Sequence, residues 1–224
     1  MMLALKAVAA MAFSVVFFGV ALFVPAGTVD YWQAWVFIAV FVTATMVPSA
    51  YLAVRDPAAL ARRMKAGPTA ETRPAQRIVM SATVLLVVVA LMVSALDHRF
   101  GWSSVPLWLV VVGDVLVVGG LILSQLVVVQ NSYASATITV EADQPLVSTG
   151  LYGMVRHPMY LGALIMMVGM PPALDSLWGL VAVAVAFPVL AARILDEEKM
   201  LRQELPGYPE YASRVRKRLV PGVW

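Results

Sequence analysis

Apolar residues gather in six blocks, 3–24, 31–54, 78–96, 106–129, 158–174 and 177–195. Each is near the ~20 residues that cross a ~30 Å hydrocarbon layer. The first block is interrupted only by Lys6 and is followed by no convincing cleavage site, so it reads as a retained span. Tyr31, Trp32 and Trp35 stand where interfacial aromatics belong, and Pro48 predicts a kink in the second span. Residues 55–77 break the pattern. Asp56-Pro57 is a helix start, Leu60 and Met64 fall four apart among Arg62, Arg63 and Lys65, and Gly67-Pro68 is a stop. A basic helix near 56–66, lying on the membrane surface, follows. Residues 130–157 hold no long apolar run and cannot lie in lipid. Pro171-Pro172 and Asp175-Ser176 mark a hairpin between the last two spans, and from Asp196 an amphipathic basic tail runs on, broken at Pro206-Gly207.

Composition changes this picture little and sharpens it. With 61% hydrophobic and 13% charged residues, and a mean hydropathy of +0.85, the chain has more apolar surface than a soluble core can bury. The expected fold is all-α: a polytopic integral membrane protein of about six spans. Residues 1–129 form a bundle of four spans with the basic surface helix, and 130–224 form a loop, a helical hairpin and a tail. With the N-terminus inside, every one of the 16 basic residues except Arg99 falls on an inner segment. By the positive-inside rule both termini, the 130–157 loop and the tail then face the cytoplasm across an inner membrane. The absence of cysteine and the presence of only His98 and His157 exclude disulfides, thiolate zinc sites and multi-histidine clusters. Neither a metal nor a nucleic-acid partner is expected. Chemistry must come from carboxylates, Arg, Tyr, the backbone and a bound organic cofactor.

The most patterned polar stretch is 148–162, Ser-Thr-Gly-Leu-Tyr-Gly-Met-Val-Arg-His-Pro-Met-Tyr-Leu-Gly. Pro158 fits the first helical position and His157 the N-cap, leaving the N–H groups of Met159 and Tyr160 at the positive end of a helix dipole. The hairpin brings this end to Arg193, Glu197 and Glu198 at one membrane surface. Arg156 and Arg193 add to a positive pole, Glu197 and Glu198 to a negative one. A ligand with both an ammonium and a carboxylate fits, its cation on Glu197 and its anion near Tyr160. Plainer readings compete. His157 serves also as a mere cap, Tyr152 and Tyr160 as interfacial aromatics, the two glutamates as a solvated face, and the cluster from Arg214 to Arg218 as snorkelling anchors on anionic lipid. Asn131, Ser132 and Tyr133 either line an acceptor entrance or cap the fourth span. Asp114, an acid inside a span, reads as a hydrogen-bonded or protonated structural residue.

The run Leu146 to Tyr152, then Arg156-His157-Pro158-Met159-Tyr160-Leu161-Gly162, then Arg193 with Glu197-Glu198 and Leu201, then Gly207-Tyr208 and Tyr211, resembles the isoprenylcysteine carboxyl methyltransferase family, which is related to the phospholipid N-methyltransferases. The resemblance covers the C-terminal part of the chain alone. It implies S-adenosylmethionine bound at the cytoplasmic face by Gln144, Leu146, Val147, Tyr152, His157, Tyr160 and Glu197, with Glu198 beside them. It also implies Arg193 facing the methyl acceptor; Asn131, just past the fourth span, is the further candidate on the acceptor side. Members of the family from eukaryotes carry His where this chain has Gln144.

Methyl transfer from a sulfonium to an anion annihilates charge, so a dry site favours it. A carboxylate acceptor is ionised at neutral pH and needs only orientation by Arg193. An amine, thiol or phenol needs a base, for which Glu197, Glu198 and His157 are the candidates. The expected function is therefore S-adenosylmethionine-dependent methylation of a lipophilic acceptor from the bilayer. Two alternatives remain: an NADPH-dependent membrane reductase of the sterol-reductase type, and a non-enzymatic membrane scaffold. The acidic pair suits a cofactor ammonium and opposes a pyrophosphate.

Overall fold

The computed structural model describes residues 2–141 and 144–224. The side chain of Lys6, counted above among the inner basic residues, lies outside the described ones. The described residues form helices and no strand: α1 (Met2–Ala26), α2 (Trp32–Arg55), α3 (Pro57–Met64), α4 (Pro74–Phe100), α5 (Leu107–Gln130), α6 (Leu151–Met154), α7 (Pro158–Ala173), α8 (Trp178–Glu204) and α9 (Tyr208–Arg214). Five of them, α1, α2, α4, α5 and α8, are long and apolar enough to cross a membrane. The chain is thus an all-α integral membrane protein. The sixth expected span, α7, is a shorter apolar helix of 16 residues.

Local chemistry sets the boundaries. Asp56 caps α3 by accepting from Ala59 N–H at 2.9 Å, with Pro57 in the first turn. Gly101, at φ 63°, ends α4 in the left-handed conformation that a side chain resists. Helix α2 continues through Pro48, and the hydroxyls of Thr45 and Ser49 donate one turn back to Phe41 O and Thr45 O, both at 2.7 Å. Helix α8 runs nine residues past the predicted end of its apolar block, to Glu204. The hydrogen bonds of its polar end, described below, hold that extension in place.

The most extensive helix pair is α5 with α7. Lipid gives no hydrophobic drive for two spans to associate, so close approach of backbones must supply it. Glycines permit that approach. A Cβ at Gly162 would lie 2.7 Å from Gly120 O, and one at Gly169 would lie 2.6 Å from Gly113 O. The second layer packs α4 against α8, and a core of Phe18, Leu22, Phe37, Leu91, Val117 and Leu174 ties α1 and α2 to them.

Polar side chains lock the two ends of the bundle. At one end Asp97, fully buried, accepts from Ser103 Oγ at 2.6 Å, Ser176 Oγ at 2.7 Å and Ser103 N at 2.7 Å. Asp175 accepts there from Val105 N and Gln33 Nε2, each at 3.1 Å, and Tyr31 donates to Leu174 O. At the other end lie α3, the 131–157 loop, the end of α8 and the tail, joined by Arg62–Glu141 at 2.8 Å and Arg73–Asp196 at 3.0 Å. Asp114 follows the sequence expectation only in part. Its Oδ1 is buried and has no hydrogen-bond partner among the described residues.

Gly120→Ala drives a methyl into the Gly162 backbone and is expected to destabilise the protein by about 1–3 kcal/mol, measured as thermal unfolding in detergent. Gly119→Ala, with nothing within 4 Å of its new Cβ, is expected to change stability by about 1 kcal/mol or less.

Candidate functional site

At the loop-bearing end the helices part around a cavity of about 480 Å³, within the ~300–1,000 Å³ typical of ligand pockets. Its polar wall is built by Asn131, Gln144, Tyr152, Tyr160, Arg193 and Glu197, and its apolar wall by Phe41, Met80, Leu121, Met166 and Leu190. The hairpin prediction therefore has a direct physical counterpart. Tyr160 on α7 donates from its hydroxyl to Glu197 Oε2 on α8 at 2.6 Å.

Arg193 lines the same cavity but is committed elsewhere. Its Nε donates to Tyr160 Oη at 3.0 Å, Nη1 to Gln76 Oε1 at 3.0 Å, and Nη2 to Glu71 Oε1 at 2.8 Å and Ala136 O at 3.0 Å. Glu71 is 1% exposed and Arg193 4%, so this is a buried, hydrogen-bonded ion pair with its charge already cancelled. The expectation set Arg193 against an anionic acceptor; in the structure its guanidinium faces Glu71, Gln76 and Ala136 O as well as the cavity. Its remaining effect on the cavity is to orient the Tyr160 hydroxyl. Sequence reading missed Glu71 and Gln76. The signal for Glu71 was an acidic residue isolated in a basic stretch.

Glu198 also departs from expectation. It does not line the cavity; it accepts from Arg156 Nε at 2.7 Å and Arg218 Nε at 3.2 Å, with His157 Nε2 at 3.2 Å. One carboxylate thus ties the start of α7, the end of α8 and the tail. The tail reinforces this through backbone bonds, Arg156 N to Lys217 O and His157 N to Arg218 O, both at 2.9 Å. Arg218 is consequently a bracing residue rather than a lipid anchor. His157 holds the N-cap position of α7, but its side chain caps nothing, because the ring is turned to Glu198. Among the described residues no side chain caps the N–H groups at the start of α7.

The other expected residues gather around these. Asn131 ends α5, and its Oδ1 accepts from Tyr133 N at 3.1 Å while its Nδ2 donates to Tyr152 Oη at 3.2 Å, so it both caps and lines the cavity. Gln144 faces the cavity with its Oε1 held by Glu141 N at 3.1 Å, and Leu146 and Val147 continue the wall. Burial raises the Tyr152 hydroxyl pKa above its usual range, although the Asn131 bond opposes this, so the group is a neutral phenol. Tyr211 donates to Tyr152 O at 2.8 Å. Tyr208 is 3% exposed and lines the cavity, and its hydroxyl is buried with no partner among the described residues. Arg63, from α3, is a further lining residue that sequence reading had placed on the membrane surface.

Comparison with known proteins bears on the same region. The delta(14)-sterol reductase of Mus musculus is 35% identical over 91 residues, 39% of this chain and 22% of that protein. The cobalt-zinc-cadmium resistance protein of Cupriavidus metallidurans is 29% identical over 104 residues, 46% of this chain and 48% of its own length. The aligned stretches thus span less than half of these curated relatives. A solved structure of the eukaryotic intramembrane Ras methyltransferase, isoprenylcysteine carboxyl methyltransferase, aligns over 99% of this chain and 85% of its own, at 16% identity and a TM-score of 0.47. Residues 108–206, which run from α5 to the end of α8, match the family described as phospholipid methyltransferase.

Proposed function

We propose that this protein is an S-adenosylmethionine-dependent methyltransferase acting on a lipophilic acceptor drawn from the bilayer, with its basic end facing the cytoplasm. The observation that carries the reading is Glu197. Among the described residues it is the one carboxylate in the cavity wall, and no basic group lies within 4.0 Å of it. A ligand ammonium would meet that charge. Tyr152, Tyr211, Leu146 and Leu201 offer flat and apolar surface for a purine, and the N–H groups at the start of α7 offer a place for a carboxylate. The phospholipid methyltransferase match over 108–206 supports the same reading, as does the basic skew toward one end of the bundle.

S-adenosylmethionine supplies, when bound, a methyl group on a positively charged sulfur that needs no acid to activate it. The chain's own task is positioning and drying. Glu197 and Tyr160 fix one end of the ligand, and Arg193 fixes Tyr160. The apolar wall removes water, which favours a step in which opposite charges merge. An ionised acceptor requires no base there. A protonated acceptor would need a base, and Glu197 is the one carboxylate in the cavity wall among the described residues.

The stretch shared with a sterol reductase favours a second reading, a reductase using NADPH. A pyrophosphate beside Glu197 would meet repulsion, and two of the three cavity arginines already hold buried carboxylates, Arg193 with Glu71 and Arg156 with Glu198.

Calorimetry on the purified protein in detergent is expected to show binding of S-adenosylmethionine and none of NADPH; the reverse result would give the site to the reductase. Glu197→Gln should weaken S-adenosylmethionine binding by about tenfold or more, and an unchanged affinity would remove Glu197 from the cofactor site. Glu198→Gln should instead lower stability, by about 3–5 kcal/mol for a broken buried pair, read from thermal unfolding.

A further inference from the structure

Three arginines line the cavity, and they differ in one respect. Arg156 is paired with Glu198 at 2.7 Å and Arg193 with Glu71 at 2.8 Å, whereas Arg63 has no carboxylate within 4.0 Å among the described residues. The contact it makes is Nη1 to Met159 Sδ at 3.2 Å, and a thioether is a weak acceptor that an oxyanion would displace. Burial with no compensating charge lowers its pKa from the usual guanidinium value. Its placement follows from the sequence of α3. Leu60 and Ala59 pack with Leu52, Val128 and Met159, which turns one face of this helix inward. Arg62 points away, to Glu141 and over the Tyr133 ring. Neighbouring arginines thus have different tasks: Arg62 holds the loop, and Arg63 presents a cation to the cavity.

We propose that Arg63 is the specificity residue that receives the anionic group of the acceptor. The proposal rests on the methyltransferase reading above and adds to it a specificity residue outside the matched 108–206 segment. The two poles of the cavity then serve different molecules. Glu197 takes the cofactor's cation and Arg63 takes the acceptor's anion, while Phe41, Met80, Leu121 and Leu190 receive the chain. Arg193, with its charge spent on Glu71, is a positioning residue for Tyr160.

The test is the affinity of the full-length protein in maltoside micelles for dodecyl phosphate, with inorganic phosphate as the headgroup alone and S-adenosylmethionine measured separately. Arg63→Gln is expected to weaken dodecyl phosphate binding by about tenfold or more, Arg62→Gln to leave it within about twofold, and Arg63→Lys to retain part of it. The last variant keeps the test decisive should Arg63→Gln not fold. Equal loss in the Arg62 and Arg63 variants would mean attraction to a basic surface, and inorganic phosphate binding as tightly as dodecyl phosphate would mean a free-anion site. Either result overturns the proposal. So does a loss of S-adenosylmethionine affinity in Arg63→Gln, which would give this cation to the cofactor's carboxylate. Wild-type protein that binds dodecyl phosphate through Arg63 but not S-adenosylmethionine would leave this site standing and remove the methyltransferase reading.

Discussion

A guanidinium at the end of a membrane helix must be neutralised, and the rest of this architecture follows from how Arg193 is. Its partner Glu71 comes from the basic segment between α2 and α4, so the ion pair draws that segment onto α8. Gln76 and Ala136 O complete the shell, which brings the start of α4 and the 131–157 loop to the same point. These contacts roof the space between α5, α7 and α8. Removing either charge would strand the other in a dry place, a heavier loss than the pair itself is worth. The cavity exists because four separate pieces of chain must converge to satisfy one cation.

The spans were legible because lipid imposes a period that survives in sequence: about twenty apolar residues, then a polar break. So was the start of α7, since Pro158 and His157 have few other uses in that order. What escaped was partner choice. Arg193 and Glu197, four apart on one helix, do meet in one site at the Tyr160 hydroxyl, yet the carboxylate that Arg193 pairs with is Glu71, 122 residues away in the chain. Glu197 and Glu198 looked equivalent, and one step along a helix rotates a side chain by about 100°. That rotation puts Glu197 against Tyr160 and Glu198 against Arg156 and Arg218. Arg62 and Arg63 divide in the same manner. Sequence identifies residues able to carry charge; the bundle decides which of them keep it.

The tail illustrates the same economy. Its basic residues suggested contact with lipid headgroups, but Arg218 bonds Glu198 and its guanidinium lies over the Trp224 ring at 5.3 Å, while Leu219 is wholly buried against Leu190 and Ile194. A polar network of this kind, with each member satisfied, fixes one arrangement among many that a purely apolar seam would tolerate. The result is a rigid frame around an otherwise adaptable apolar wall.

Helix α7 stands apart from the other apolar helices. Its 16 residues rise about 24 Å, less than the ~30 Å of an ordinary hydrocarbon core, while α8, its partner in the hairpin, has 27 residues. Along its length only Val168 is exposed, so α5 and α8 cover it, and the mismatch that a lone helix this short would impose on lipid is absorbed inside the bundle.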